Sequence, residues 1–420
     1  MKQQADLLIH SAAQLLTLAS PGGPQRGAEL GRLGIIEDGA VAVCDGQVLL
    51  TGSTASVRAQ VEATHEIDAG GQVVMPGFVD PHSHAVFAGA RADEFEQRIA
   101  GASYMDIMAA GGGIMSTVRA TRQATVDELV AQSRPRLDAL LAHGSTTVEV
   151  KTGYGLTVAD ELKMLEAIHR LNAEHPLDLA PTFLGAHAVP TEYQGRADAF
   201  VDLVVDEMLP AFAPHVPGSP PLFCDVFCEE GAFSLAQSRR ILERAARLGF
   251  GLKIHADEFR PLGGTALAVE LGAISADHLV CTPQNEILAL GRSSTIAVAL
   301  PGTPFGLGHR DYTPARAIVE AGGALALATD LNPGTCYCES MQLMIALACR
   351  NMRLTPAEAI AAATINAAHA LGLGSRVGSL EPGKQADMIV LDAPNYRHLG
   401  YRFGSNLVQK VIKRGQIVVG

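Results

Sequence analysis

Pro81-His82-Ser83-His84 closes an apolar run, VVMPGFVD, and sets two imidazoles at positions i and i+2. In extended chain, alternate side chains point the same way, so both rings can approach one cation from two directions. H-x-H taken alone is a common pattern. Here it has company, because polar residues able to do chemistry close other apolar runs. Tyr154 ends TTVEVKTGYG, His187 ends LDLAPTFLGAH, and Glu229 with Glu230 follows PLFCDVFC. His255, Asp257 and Glu258 end FGLKIHADEF, His278 ends AISADH, and Asp330 ends ALALATD. Of these, His255 is the best third ligand and Asp330 the best fourth. Three imidazole nitrogens and one carboxylate suit a single ion of zinc or iron, divalent or trivalent. The Asp330 carboxylate can also accept a proton from an attacking water. His278 is placed as a group that stabilises the water or a forming oxyanion. Lys151 could in principle be carbamylated to bridge two metals, but it falls on the second apolar run, which favours a site for one ion.

These residues are far apart in the chain, so the fold must gather them. Eight apolar runs alternate with helix-period segments between residues 72 and 335. Val158, Leu162, Leu165, Ile168 and Leu171 mark one face of a helix between the second and third runs. Ile241, Leu242, Ala245 and Leu248 do the same before the fifth. No glycine fingerprint for a dinucleotide or P-loop follows the first run. Eight βα units predict an α/β fold, a (β/α)₈ TIM barrel, whose strand C-termini converge on one mouth. Both ends of the chain instead carry short β runs punctuated by Asp-Gly and Arg-Gly: DLLIHSA, GAVAVCDGQVLLTG and THEIDAGG before the barrel, DMIVLD and VQKVIKRGQIVV after it. Neither set is large enough to stand alone, so the two should combine into a small β-sandwich domain. The expected boundaries are 1–72 and 376–420 for that domain and 73–375 for the barrel.

The composition excludes other classes. Of 420 residues, 48% are hydrophobic and 18% charged, which indicates a large buried core. The net charge of −12 and the absence of any Lys/Arg run argue against nucleic acid as a partner. No apolar stretch approaches the roughly 18 residues of a membrane span, and Asp6 and His10 interrupt any signal-peptide core. A cytoplasmic location is expected. Seven cysteines in such a chain are no disulfide framework. Cys224 and Cys228 lie in LFCDVFCEEG, which reads as buried strand, and Cys336 and Cys338 read as packing.

MPGFVDPHSH, the later histidines and the late aspartate resemble the amidohydrolase superfamily. The stretch from His84 to Arg122, together with EVKTGYGL, FLGAHAVP, HADEF and ATDLNPGT, resembles the imidazolonepropionase family within it. That resemblance implies hydrolysis of 4-imidazolone-5-propanoate to N-formimidoyl-L-glutamate, the third step of histidine degradation. It implies the ligands His82, His84, His255 and Asp330, matching the reading above, and it implies a homodimer. It also implies substrate contacts at Arg91, Tyr154, His187, Glu258, Asn332, Gly334 and Thr335. The chemistry agrees. A propionate tail calls for a cation, and arginine offers a two-pronged donor. With the chain acidic overall, local charge must attract the anion. Glu258 can hold or protonate a ring nitrogen, so the catalytic set is Asp330, His278 and Glu258. Gly334 would let backbone approach a ligand. The glycine-rich AAGGGIMSTV could cradle a phosphate, but three glycines in a row favour a loop over the mouth that excludes water.

Two rivals remain. An aminohydrolase of a purine, pyrimidine or triazine ring would use the same metal residues but needs no carboxylate clamp such as Arg91. A catalytically dead barrel acting as a binding protein would be expected to have lost ligands, and all four are present.

Overall fold

A computed structural model describes residues 2–20, 22–102, 111–216 and 221–420. The first strand, β1 (Gln3–Leu16), is long and shifts register between Ile9 and Ala12. That irregularity lets one edge serve two partners in turn, β4 (Val61–Asp68) along its first half and β5 (Val73–Pro76) near its end. Its other edge holds β2 (Ile35–Cys44), which turns at Asp45-Gly46 into β3 (Gln47–Ser53). Asp45 and Gly46 both have positive φ, 50° and 73°, the requirement of a tight two-residue hairpin. From the far end of the chain come β15 (Met388–Leu391), β16 (Val408–Lys413) and β17 (Gln416–Val419). β15 pairs antiparallel with β5, so the two termini form one eight-stranded mixed sheet. Leu7, Ile9, Val41, Val74, Met388 and Ile412 from both ends share its main core.

The barrel strands are β6 (Phe78–Asp80), β7 (Ser145–Lys151), β8 (Asp178–Ala186), β9 (Phe223–Cys228), β10 (Gly251–Leu252) continuing as β11 (His255–Ala256), β12 (Ser275–His278), β13 (Ile296–Ala299) and β14 (Leu325–Leu327). All pair in parallel and in chain order. Each coincides with one of the eight apolar runs, as expected of strands covered on both faces. Past β6 and β14 the backbones meet. Asp330 N–H donates to the His82 carbonyl at 3.0 Å and His84 N–H to the Leu331 carbonyl at 2.8 Å. This closes the ring of strands at the level of the predicted ligands. The fold is the expected TIM barrel with a small β domain built from both termini.

The helices confirm the periodicity. Val158–Glu174 buries Leu165, Ile168 and Leu171 and starts at Thr157, whose hydroxyl accepts from Asp160 N–H. Leu235–Arg247 buries Ile241, Leu242 and Ala245 behind a Ser234–Gln237 capping box. No helix among the described residues is long and apolar enough to cross a membrane.

Candidate metal centre and active site

His82 and His84 lie just past β6, His255 opens β11, His278 ends β12, and Asp330 lies just past β14. Two interlocking groups result. His82, His255 and His278 present ligand atoms within 4.8 Å of one another, and so do His82, His84 and Asp330. Asp330 Oδ1 is 3.5 Å from Nε2 of both His82 and His84. The rings of His82 and His255 are 4.5 Å apart and those of His255 and His278 5.1 Å apart. His278 thus stands as near the cluster as the four predicted ligands, where the sequence placed it as a stabilising neighbour.

The donor set fits a cation. Nε2 of His82, His255 and His278 and Nδ1 of His84 are buried and have no hydrogen-bond partner. Buried polar atoms are rarely left so. Burial, with the Lys151 charge next in effect, holds His82 well below its ordinary pKa, and burial does the same to His84 and His278. Their nitrogens are therefore neutral lone-pair donors, the form a metal needs. Asp330 is pushed up to about 6 by burial, offset in part by the hydrogen bond from Thr303 Oγ1 at 2.5 Å. Asp330 and His278 also hold positive φ, 52° and 76°, conformations that only the surrounding structure can enforce.

Glu258 is buried, 3.6 Å from His278 Nδ1. Burial, reinforced by the Asp330 charge, raises its pKa well above the carboxylate range. It is a weakened acid within the same mouth. A cavity of about 310 Å³ opens beside it, lined in part by Glu258, His278, Thr303 and Arg310. His187 stacks on His84 with centroids 5.0 Å apart and is held at Nδ1 by the Gly153 carbonyl at 3.1 Å. Burial lowers it to about 3, so its ring is neutral. Tyr154 packs against both His84 and His187, and burial raises its phenol pKa.

Arg91 sits at the start of helix Ala92–Ile99, held by Glu94 Oε2 at 2.8 Å from Nε. Its head lies against Gly334. A Cβ there would stand 2.3 Å from Arg91 Nη1, so what Gly334 admits is the arginine. Asn332 is committed to its own loop: Nδ2 donates to the Asp330 carbonyl and Thr335 Oγ1, and Oδ1 accepts from Gly334 and Thr335 N–H. Asn332 and Thr335 therefore shape the loop that carries Asp330 to Arg91, with their polar atoms already partnered. In the glycine-rich stretch, Gly113 caps helix Ile114–Gln123 and donates to Glu94 Oε1 at 3.0 Å, tying it to the Arg91 clamp. Ala109 and Ala110 of that stretch lie outside the described residues.

Sequence reasoning missed the layer beneath. Asp277 Oδ2 is 2.6 Å from His82 Nδ1, and Asp225 Oδ2 is 2.9 Å from His255 Nδ1, though without the alignment of a hydrogen bond. Asp80 takes Thr329 N–H at 3.0 Å and its hydroxyl at 2.5 Å, and burial, offset by those bonds, lifts it to about 7. A charged residue inside an apolar strand run, as in CDVFC and SADH, was the available signal. Lys151 is no strand-end lysine facing water. It is fully buried, and although burial disfavours its charge, Asp225, Glu149 and Asp277 outweigh that and raise its pKa. The cysteines are all free, and none belongs to the histidine cluster.

Residues 73–418 match the model of the amidohydrolase family. An imidazolonepropionase from Herpetosiphon aurantiacus is 59% identical over 99% of this chain and 97% of its own length. Another, from Chloroflexus aggregans, is 52% identical over 99% of both chains. Among solved structures, a zinc-bound adenosine deaminase from Xanthomonas campestris superposes with a TM-score of 0.72 at 19% identity, covering 100% of this chain and 94% of its own. A 5-methylcytosine deaminase from Klebsiella pneumoniae gives 0.73 at 17%, covering 98% and 97%. At such identities the deaminases speak to the fold alone.

Proposed function

The chain belongs to the amidohydrolase family and, within it, to the imidazolonepropionases, and from that premise we propose that it opens the ring of 4-imidazolone-5-propanoate by water, releasing N-formimidoyl-L-glutamate. It is a hydrolase of cyclic-amide C–N bonds. The observation that carries the reading to these residues is the cluster of buried, unpartnered imidazole nitrogens around Asp330, with Glu258, a carboxyl whose pKa burial raises, at its side.

His82, His84, His255 and Asp330 would hold one ion of zinc or iron, which when bound supplies Lewis acidity toward the ring carbonyl and its attacking water. Asp330 Oδ1 takes the proton of that water, while Thr303 holds Oδ2 in place. As the carbonyl carbon becomes tetrahedral, His278 stabilises its oxyanion. Glu258 donates a proton to the leaving ring nitrogen, a role its raised pKa equips it for. Arg91 binds the propionate tail as a two-pronged donor, with Glu94 fixing its orientation. His187 and Tyr154 wall the ring pocket. Domain boundaries at 72 and 375 and a cytoplasmic location complete the reading.

The test is ultraviolet monitoring of freshly made 4-imidazolone-5-propanoate with the purified protein. Loss of absorbance above the spontaneous rate, with N-formimidoyl-L-glutamate as product, is expected. No acceleration, or release of ammonia from a nucleobase panel instead, would overturn the assignment.

A further inference from the structure

Below the histidines one ammonium touches the supports of two of them. Lys151 Nζ lies 2.8 Å from Asp225 Oδ2, 2.8 Å from Glu149 Oε2 and 3.8 Å from Asp277 Oδ2. The same Asp225 oxygen faces His255 Nδ1 at 2.9 Å, and the same Asp277 oxygen faces His82 Nδ1 at 2.6 Å. All four side chains of lysine and acid are fully buried. Glu149 is itself fixed from its other oxygen by Lys253 at 2.9 Å and by the Thr182 hydroxyl. Lys253 in turn donates to the Pro81 carbonyl, one residue before His82, at 2.7 Å.

We infer that Lys151 is the positioning residue of the metal centre: one ammonium holds the Asp225 and Asp277 oxygens against His255 and His82, and so turns both Nε2 atoms toward the ion. The inference rests on the metal reading above and extends it to a residue that touches neither ion nor substrate. Two features argue for positioning over ordinary core packing. Burying five charges in a barrel is costly, and an apolar layer would fill the same space more cheaply. Further, the carboxylate oxygens on Lys151 are the ones on the imidazoles, so moving the ammonium moves both rings. The arrangement also explains why Lys151 is not a free amine for carbamylation: its nitrogen is surrounded by carboxylates.

The experiment compares zinc affinity, by chelator competition, among the parent, Lys151→Met, Asp277→Asn and Asp225→Asn, with ¹⁵N spectra of the histidine rings reporting tautomer. Circular dichroism and melting temperature establish which variants fold. The expected result is a zinc affinity weakened roughly 10–100-fold in Lys151→Met and in each Asn variant, with the His82 and His255 Nδ1 signals shifted together in Lys151→Met. The double variant Lys151→Met/Asp277→Asn should lose less than the product of the single effects, since both act through one oxygen. Folded Lys151→Met with affinity within twofold of the parent overturns the inference. If Lys151→Met does not fold, Asp277→Asn and Asp225→Asn decide it by the same twofold criterion. A parent that takes up no zinc or iron overturns the metal reading, and the inference with it; a metal-binding parent with indistinguishable variants overturns the inference alone.

Discussion

Inside the upper half of the barrel, Lys151 and Lys253 sit among Glu149, Asp225 and Asp277. At the opposite end, Lys413 of β16 sits 2.6 Å from Asp387 and 2.8 Å from Asp178, the first residue of β8, and donates to the Thr146 carbonyl at 2.9 Å. Both are lysine-centred knots of buried charge. They differ in what the carboxylates face. Above, the acid oxygens meet imidazole nitrogens whose far sides are unpartnered. Below, they meet further donors, Gln385 and Arg414, and the contacts of Lys413 and Gln385 with Asp178 and of Lys413 with Thr146 join the β sheet to the barrel floor. Buried ion pairs are weak evidence of stability. What separates a functional knot from a clamp is whether removing a charge leaves a ligand misdirected or two domains less tightly joined.

That contrast can be broken by substitution. Asp330→Asn removes the proton acceptor above and should cut turnover by about 10³-fold or more while leaving melting temperature nearly unchanged and some metal bound. Near-normal turnover with metal present would refute the base assignment. Lys413→Met strands two carboxylates below and should destabilise by roughly 3 kcal/mol, read by denaturant unfolding, with kcat of the folded fraction unchanged. A fall in metal content in that variant would erase the distinction between the knots. Glu258→Gln should lower kcat about 10²-fold. The sign of its pH dependence follows from the raised pKa: the proton is held to higher pH than on an ordinary carboxyl, activity falls as pH rises through the raised pKa, and the Gln variant should lose this limb. Arg91→Met should raise KM roughly tenfold or more for the propionate substrate and change kcat less.

The smallest effect concerns acid. Burial raises Asp178, but Lys413, then the Gln385 hydrogen bond and the Arg414 charge, outweigh it and hold its carboxyl below the usual range. A carboxylate depressed in the folded state adds stability that is complete above its unfolded pKa of about 4 and is lost as pH falls through the lower folded value. Lys413→Met should therefore flatten the acid limb of the stability curve.

Much of this was legible in the sequence. The eight runs became the eight barrel strands because parallel barrel strands are buried on both faces and write themselves as unbroken apolar text. Asp45-Gly46 and Arg414-Gly415 marked hairpins because both positions require positive φ. His82, His84, His255, His278 and Asp330 were visible because each closes such a run. The support layer was not. Asp225 and Asp277 lie within strands and Lys253 in the link between β10 and β11, all inside apolar runs where one charged letter looks like noise, and only three-dimensional closure reveals that they converge. Thr303 escaped because it lies in a short helix after β13, while its partner, Asp330, follows β14. Asn332 carried a motif match, and the bracing that its amide gives the Asp330 loop was not visible from spacing.

The central claim is that an ion held by His82, His84, His255 and Asp330 makes this chain an imidazolone-ring hydrolase. The most direct test strips the protein of metal with chelator and then titrates zinc or iron back while following absorbance of fresh 4-imidazolone-5-propanoate. The account predicts decay at the spontaneous rate without metal and full recovery at one ion per chain, with no recovery in His82→Ala/His84→Ala. Undiminished turnover by stripped protein, or recovery in that double variant, would contradict it.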